Sequence, residues 1–216
     1  MTALAHPVSV SSVATTSWLR RAALLGAVVV ALVANAVPSH AARGAELSPA
    51  ERFASQAGNQ AVATARAGGT EAQLTSRFRT LLRRYSNVSS VASFSLGKYA
   101  SELPASRRGE FNRLVEDFTA RLFAAYAGSF AGHEVEVLRS NPRTATDIVV
   151  DSRIVFPDNR NPSQVKWLVS KRGGGYTVYD VNIQGVWLSL YIRSKFVAIL
   201  KQNNGDFDAL FAFLRQ

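Results

Sequence analysis

Apolar residues recur at helical spacing over the first half of the chain and switch to alternation in the second. Ser48-Pro49-Ala50-Glu51 predicts a helix start: the serine oxygen can accept from the Glu51 backbone N–H, Glu51 can reach back, and proline tolerates a first turn. That helix extends to about Arg66 and stops at Gly68-Gly69. Leu74, Phe78, Leu81, Leu82 and Tyr85 then keep helical spacing. Val88, Val91, Ala92, Phe94, Leu96 and Tyr99 form a third cluster, a short helix turning at Gly97. Pro104 and Ser106 introduce the longest helix, about 105–130, whose stripe includes Phe111, Leu114, Val115, Phe118, Leu122, Phe123, Tyr126 and Phe130. A stripe that broad exceeds what one flat surface needs and predicts contact on two sides, a core and a cavity.

Beyond Gly132 the period becomes two. Val135 and Val137 mark one strand, and residues 145–156 predict a longer one through Ile148, Val150, Ile154 and Phe156. Val165, Trp167 and Val169 alternate cleanly. Gly173-Gly174-Gly175 is a hairpin turn, and residues 176–183 return from it. A helix over about 188–202 is broken by Asn203-Asn204-Gly205, and Asp206 caps a last short helix carrying Phe207, Leu210, Phe211 and Leu214. Helices, then about four antiparallel strands, then helices give an α+β fold.

Residues 1–41 stand apart. Arg20 and Arg21 precede an apolar run at 22–34, and Ser39 and Ala41 offer small residues for cleavage after Ala41. This order is that of a secretory signal peptide, which leaves residues 42–216 as a single domain. The run is too short to span a bilayer comfortably as a helix. The alternative for this segment is an uncleaved inner-membrane anchor; its arginine pair fits a twin-arginine signal poorly.

Composition narrows the chemistry. With 47% hydrophobic and 19% charged residues the chain is expected to fold around a core. It contains no cysteine, which excludes disulfides, thiolate metal sites and cysteine nucleophiles. The formal charge is +10. Arg83-Arg84 and Arg107-Arg108 lie within amphipathic patterns, so solvated helix faces are expected and no nucleic-acid motif accompanies the charge. Past the leader His133 is the sole histidine, an exposed loop residue by its place after Gly132. Asp147 and Asp151 share a strand face and read as solvated carboxylates. Asp180, among Val178, Tyr179, Val181 and Ile183, is either hydrogen-bonded near an element end, solvent-facing, or an acid catalyst. The triple glycine is not a phosphate loop, because no Lys-Ser/Thr follows. No catalytic residue, metal site or cofactor is expected.

Tyr179-Asp180-Val181-Asn182-Ile183-Gln184-Gly185-Val186-Trp187-Leu188, followed by Arg193-Ser194-Lys195-Phe196, resembles the toluene-tolerance or MlaC family of periplasmic phospholipid carriers. Phe78-Arg79-Thr80-Leu81-Leu82 and Val91-Ala92-Ser93-Phe94-Ser95-Leu96-Gly97-Lys98-Tyr99 are similar to two helical stretches of that family. The likeness covers about residues 47–214. Gln184 replaces the family's usual glutamate and Trp187 its usual serine. A hopanoid-associated branch is similar too, which leaves the cargo open between phospholipid and a related lipid.

The resemblance implies an NTF2-like or cone-like arrangement, a curved antiparallel sheet backed by helices with an apolar cavity between. It implies a periplasmic carrier that moves lipid between an outer-membrane lipoprotein complex and an inner-membrane ABC-transporter complex, supporting outer-membrane lipid asymmetry. Such a carrier needs greasy walls and little polar specificity. Candidate walls are Val91, Phe94, Leu96, Phe118, Leu122, Trp167, Val169, Ile183, Val186 and Trp187, residue types that a packed core also uses. The alternatives are a non-lipid envelope adaptor, and a small enzyme using Asp180 or Tyr179 as acid or base.

Overall fold

Ser48 opens the first helix by the expected reciprocal cap: Glu51 N–H donates to Ser48 Oγ at 3.4 Å and Ser48 N–H donates to Glu51 Oε2 at 2.7 Å. The computed structural model describes residues 46–158 and 161–216. The expected signal peptide lies outside the described residues.

Helix α1 (Pro49–Arg66) is followed by α2 (Glu71–Tyr85), whose cap pairs Thr70 with Gln73 in the same way. Helix α3 (Val88–Ser95) starts from Asn87, whose side chain accepts from Ser90 N–H at 3.2 Å. Gly97, at φ +58, turns the chain into a short 3₁₀ segment.

The long helix expected over 105–130 is divided. A 3₁₀ turn at Ala105–Arg107 leads into α4 (Arg108–Ala125), Tyr126 leaves helical geometry, and α5 (Ala127–Phe130) follows. The broad stripe divides along its length. Phe111, Val115 and Phe118 pack in a helical core with α3 and residues 188–214, while Phe123 and Phe130 pack with α1 and α2.

Five strands follow in sequence order: β1 (Glu134–Pro142), β2 (Asp147–Val155), β3 (Ser163–Arg172), β4 (Gly175–Ile183) and β5 (Val186–Trp187), all antiparallel. The sequence pattern shows about four because a two-residue strand has no period to detect. Gly173 and Gly174, at φ +59 and +83, form the expected β3–β4 turn. Gln184 and Gly185, at φ +50 and +92, form a second two-residue turn of the same hand. Register shifts leave Leu138 and Tyr179 without a direct partner, and such bulges bend a sheet.

Helices α6 (Leu188–Gln202) and α7 (Phe207–Arg215) complete the fold, with Asp206 accepting from Asp208 N–H at 2.7 Å. One face of the sheet, including Val150, Val165, Trp167 and Val169, packs on Ala50, Ala54, Ala57 and Val62 of α1. The arginine doublets are only partly solvated faces: Arg83 pairs with Glu116 at 2.7 Å, and Arg107 pairs with Asp208 at 2.6 Å while covering the Phe211 ring.

Candidate functional site

The sheet core and the α1–α2–α4 core do not close on each other. Between them lies a cavity of about 570 Å³, within the range of small-molecule sites, roughly 300–1,000 Å³. Its back wall is the inward face of the sheet, with Ile154, Val165, Trp167, Val181 and Ile183. Helix α1 contributes Ala61 and Val62; Leu122, Phe123 and Phe130 come from α4 and α5. The β4–β5 turn supplies Gln184, β5 Val186, and the start of α6 Leu188 and Tyr191.

Trp167 is fixed in the wall by two local devices. Its indole N–H donates to Ser152 Oγ at 2.9 Å, and that hydroxyl donates to the Val165 carbonyl at 3.0 Å. Opposite, Gly58 lets α1 approach the ring: a Cβ there would lie 2.9 Å from Trp167 Cζ2. Phe123 is held within an aromatic trio. Its ring is 5.7 Å from that of Phe78 and 6.0 Å from that of Phe130, which lies perpendicular to it.

The exposed lining residues mark the mouth. Tyr126 and Val186 are more than half exposed, and Tyr191 is 38% exposed, with Leu190 beside it on the surface. Polar atoms at the lining come from hydroxyls and one amide. Gln184 Nε2 lies 3.3 Å from Ser163 Oγ. Among the described residues no Asp, Glu, Lys, Arg or His lines the cavity. The chamber is therefore suited to alkyl chains, which neither offer nor need hydrogen bonds, and not to charge stabilisation.

Of the expected walls, Leu122, Trp167, Ile183 and Val186 line this cavity. The others lie elsewhere. Val91 borders a smaller hollow adjoining it, and Phe94 lies in an open surface hollow beneath the Arg193 guanidinium. Leu96 and Phe118 belong to the helical core, Val169 is fully buried against α1, and Trp187 is half-buried ahead of α6. Among those missed in the sequence were Ala61, Val62, Phe123, Phe130, Val165 and Val181. The broad α4 stripe contained the signal for Phe123 and Phe130, but spacing along one helix does not tell which part of a stripe faces a void.

The candidate catalytic groups are occupied structurally. Asp180 accepts from Val181 N–H at 2.8 Å, Ser189 N–H at 3.0 Å and the Ser189 hydroxyl. It thus caps the N-terminus of α6 from a neighbouring strand. Burial pushes its carboxyl above the usual carboxylate range, against these hydrogen bonds. Tyr179 beside it occupies the bulge. His133 is exposed and its carbonyl accepts from Arg66. Asp151, expected in solvent, is 8% exposed. Strands β1 and β3 each place a cation beside it, Arg139 at 2.8 Å and Lys166 at 3.5 Å, and these side chains cover it. Arg139 above all holds its carboxyl below the ordinary range, as Ser170 does for Asp147. Among the described residues no group of three or more His, Asp or Glu converges as a metal site, and no helix is long and apolar enough to cross a membrane.

Comparison with known proteins adds three findings. Residues 55–216 match the protein family described as MlaC protein. The structure is similar to that of a phospholipid-binding protein from Ralstonia solanacearum, solved in complex with a phospholipid, at a TM-score of 0.67 and 20% sequence identity, covering 78% of this chain and 96% of that one. A search of curated proteins finds no match.

Proposed function

The chain belongs to the MlaC family, and from that premise we propose that it carries a phospholipid or a related lipid, with no reaction of its own. The observation that carries this reading is the 570 Å³ cavity with an aliphatic and aromatic lining, free of charged side chains among the described residues, that opens at Tyr126, Val186 and Tyr191. The phospholipid bound by the Ralstonia relative supports the same cargo class here.

The physical need is large. Burying an acyl chain is worth about 0.8 kcal/mol per CH₂, so two chains of roughly fifteen CH₂ groups lose on the order of 25 kcal/mol on entering water. A free lipid does not cross an aqueous compartment at a useful rate against that barrier. A protein chamber that replaces water around the tails removes most of it. Leu122, Trp167, Ile183 and Val186, with Val62, Phe130 and Val165, are the proposed tail contacts. The polar head stays at the mouth, where the exposed tyrosines meet solvent.

In the full reading the protein is exported by a cleaved signal peptide and works in the periplasm. There it exchanges lipid between an outer-membrane lipoprotein complex and an inner-membrane ABC-transporter complex, and so maintains outer-membrane asymmetry. Family membership supports this placement.

Transfer of a fluorescent phospholipid between donor and acceptor vesicles tests the carrier role. The mature protein is expected to accelerate transfer, and Leu122→Trp or Ile183→Trp to weaken lipid retention roughly tenfold, since displacing two methylenes forfeits about 1.6 kcal/mol. Transfer no faster than in buffer, or unchanged by both tryptophans, contradicts the proposal.

A further inference from the structure

The cavity does not end in solid packing. Two smaller apolar hollows adjoin it. One, of about 60 Å³, sits between α3, α4, β4 and α6 and is bordered by Val91, Val115 and Ile192. The other, of about 70 Å³, sits between α1, α2 and the sheet and is bordered by Ala57, Phe78 and Leu81. Both share walls with the chamber. Phe123 and Val181 line all three spaces.

The two shared residues come from opposite sides. Phe123 comes from the helical side and Val181 from the inward face of β4. The Phe123 ring is kept in place by Phe78 and Phe130 and does not hang free in the chamber. This pair therefore stands between the chamber and further apolar space on its other side.

Resting on the carrier reading, we propose that Phe123, together with Val181, is the specificity-determining partition that sets how long a lipid tail the cavity accepts. Truncating either residue joins the chamber to the adjoining hollows. Each hollow exceeds the ~10–15 Å³ of probe-occupied space that one water-sized group needs, so a joined chamber admits a longer tail.

The test is a competition read by native mass spectrometry. Lipid-stripped protein is offered an equimolar mixture of phospholipids with one headgroup and saturated tails of increasing length. Phe123→Ala and Val181→Ala are both expected to shift the bound population toward longer tails, relative to the unmodified protein. Leu210→Val, in the helical core away from the chamber, is expected to leave the distribution unchanged. Circular dichroism confirms that each variant is folded; if Phe123→Ala is not, Val181→Ala reports on the same partition from the sheet side. Folded variants that bind lipid with an unaltered length distribution overturn the partition and leave the carrier reading intact. An unmodified protein that takes up none of the lipids removes both.

Discussion

At the scale of single residues, Trp167 shows how a large apolar side chain becomes a fixed wall. Its ring is positioned by one hydrogen bond, to Ser152, and by the missing side chain of Gly58. Ser152 is 1% exposed, so its removal leaves the indole N–H without water or partner. Ser152→Ala is expected to destabilise the fold by about 1–3 kcal/mol, the range for an unsatisfied buried donor. Chemical denaturation measures it, and a change within a few tenths of a kcal/mol contradicts the assigned role. The inward direction of Trp167 was legible from its alternation with Val165 and Val169. Its polar partner was not, because a serine within a strand carries no sign of which neighbouring strand it meets.

At the scale of elements, the helix ends were the most legible features. Ser48 with Glu51, and Asp206, declare themselves through short-range hydrogen bonds that depend on few residues. The cap of α6 did not, since it comes from Asp180 on β4 and not from the preceding residue. Its raised pKa fixes a pH dependence. The unfolded chain ionises this carboxyl first, so the folded state loses stability as pH rises from the unfolded-state value through the higher folded one. Below both values the penalty is absent. Asp180→Asn keeps an acceptor for the Ser189 and Val181 amides and removes the charge. The stability of the variant relative to the parent is expected to increase across that acid window, measured by urea unfolding at successive pH values. A constant difference contradicts the burial of an ionising Asp180. Asp147 and Asp151 act in the opposite sense: their lowered pKa values supply stability at neutral pH that is lost as pH falls through them.

For the whole molecule, the α+β order and the location of the sheet followed from the change of apolar period after Gly132. The position of the chamber did not. Leu122 and Phe118 are one helical turn apart with the same chemistry, yet one faces the cavity and the other a solid helical core. The difference arises from how α3, α6 and α7 close over the N-terminal part of α4, a long-range arrangement that period and composition leave open. The same holds for Val165 against Val169, two turns of alternation along β3 that end at a void and in packing respectively. Sequence thus identifies which residues avoid water, while the fold decides which of them meet a ligand.

In the working protein, on this proposal, lipid tails occupy the hollow. Native mass spectrometry of the mature protein, purified without detergent from a bacterial host, tests it most directly. The expected result is a bound species with the mass of a membrane lipid that organic extraction removes and Leu122→Trp diminishes. A protein that carries only its own polypeptide mass, and takes up no lipid from vesicles, contradicts it.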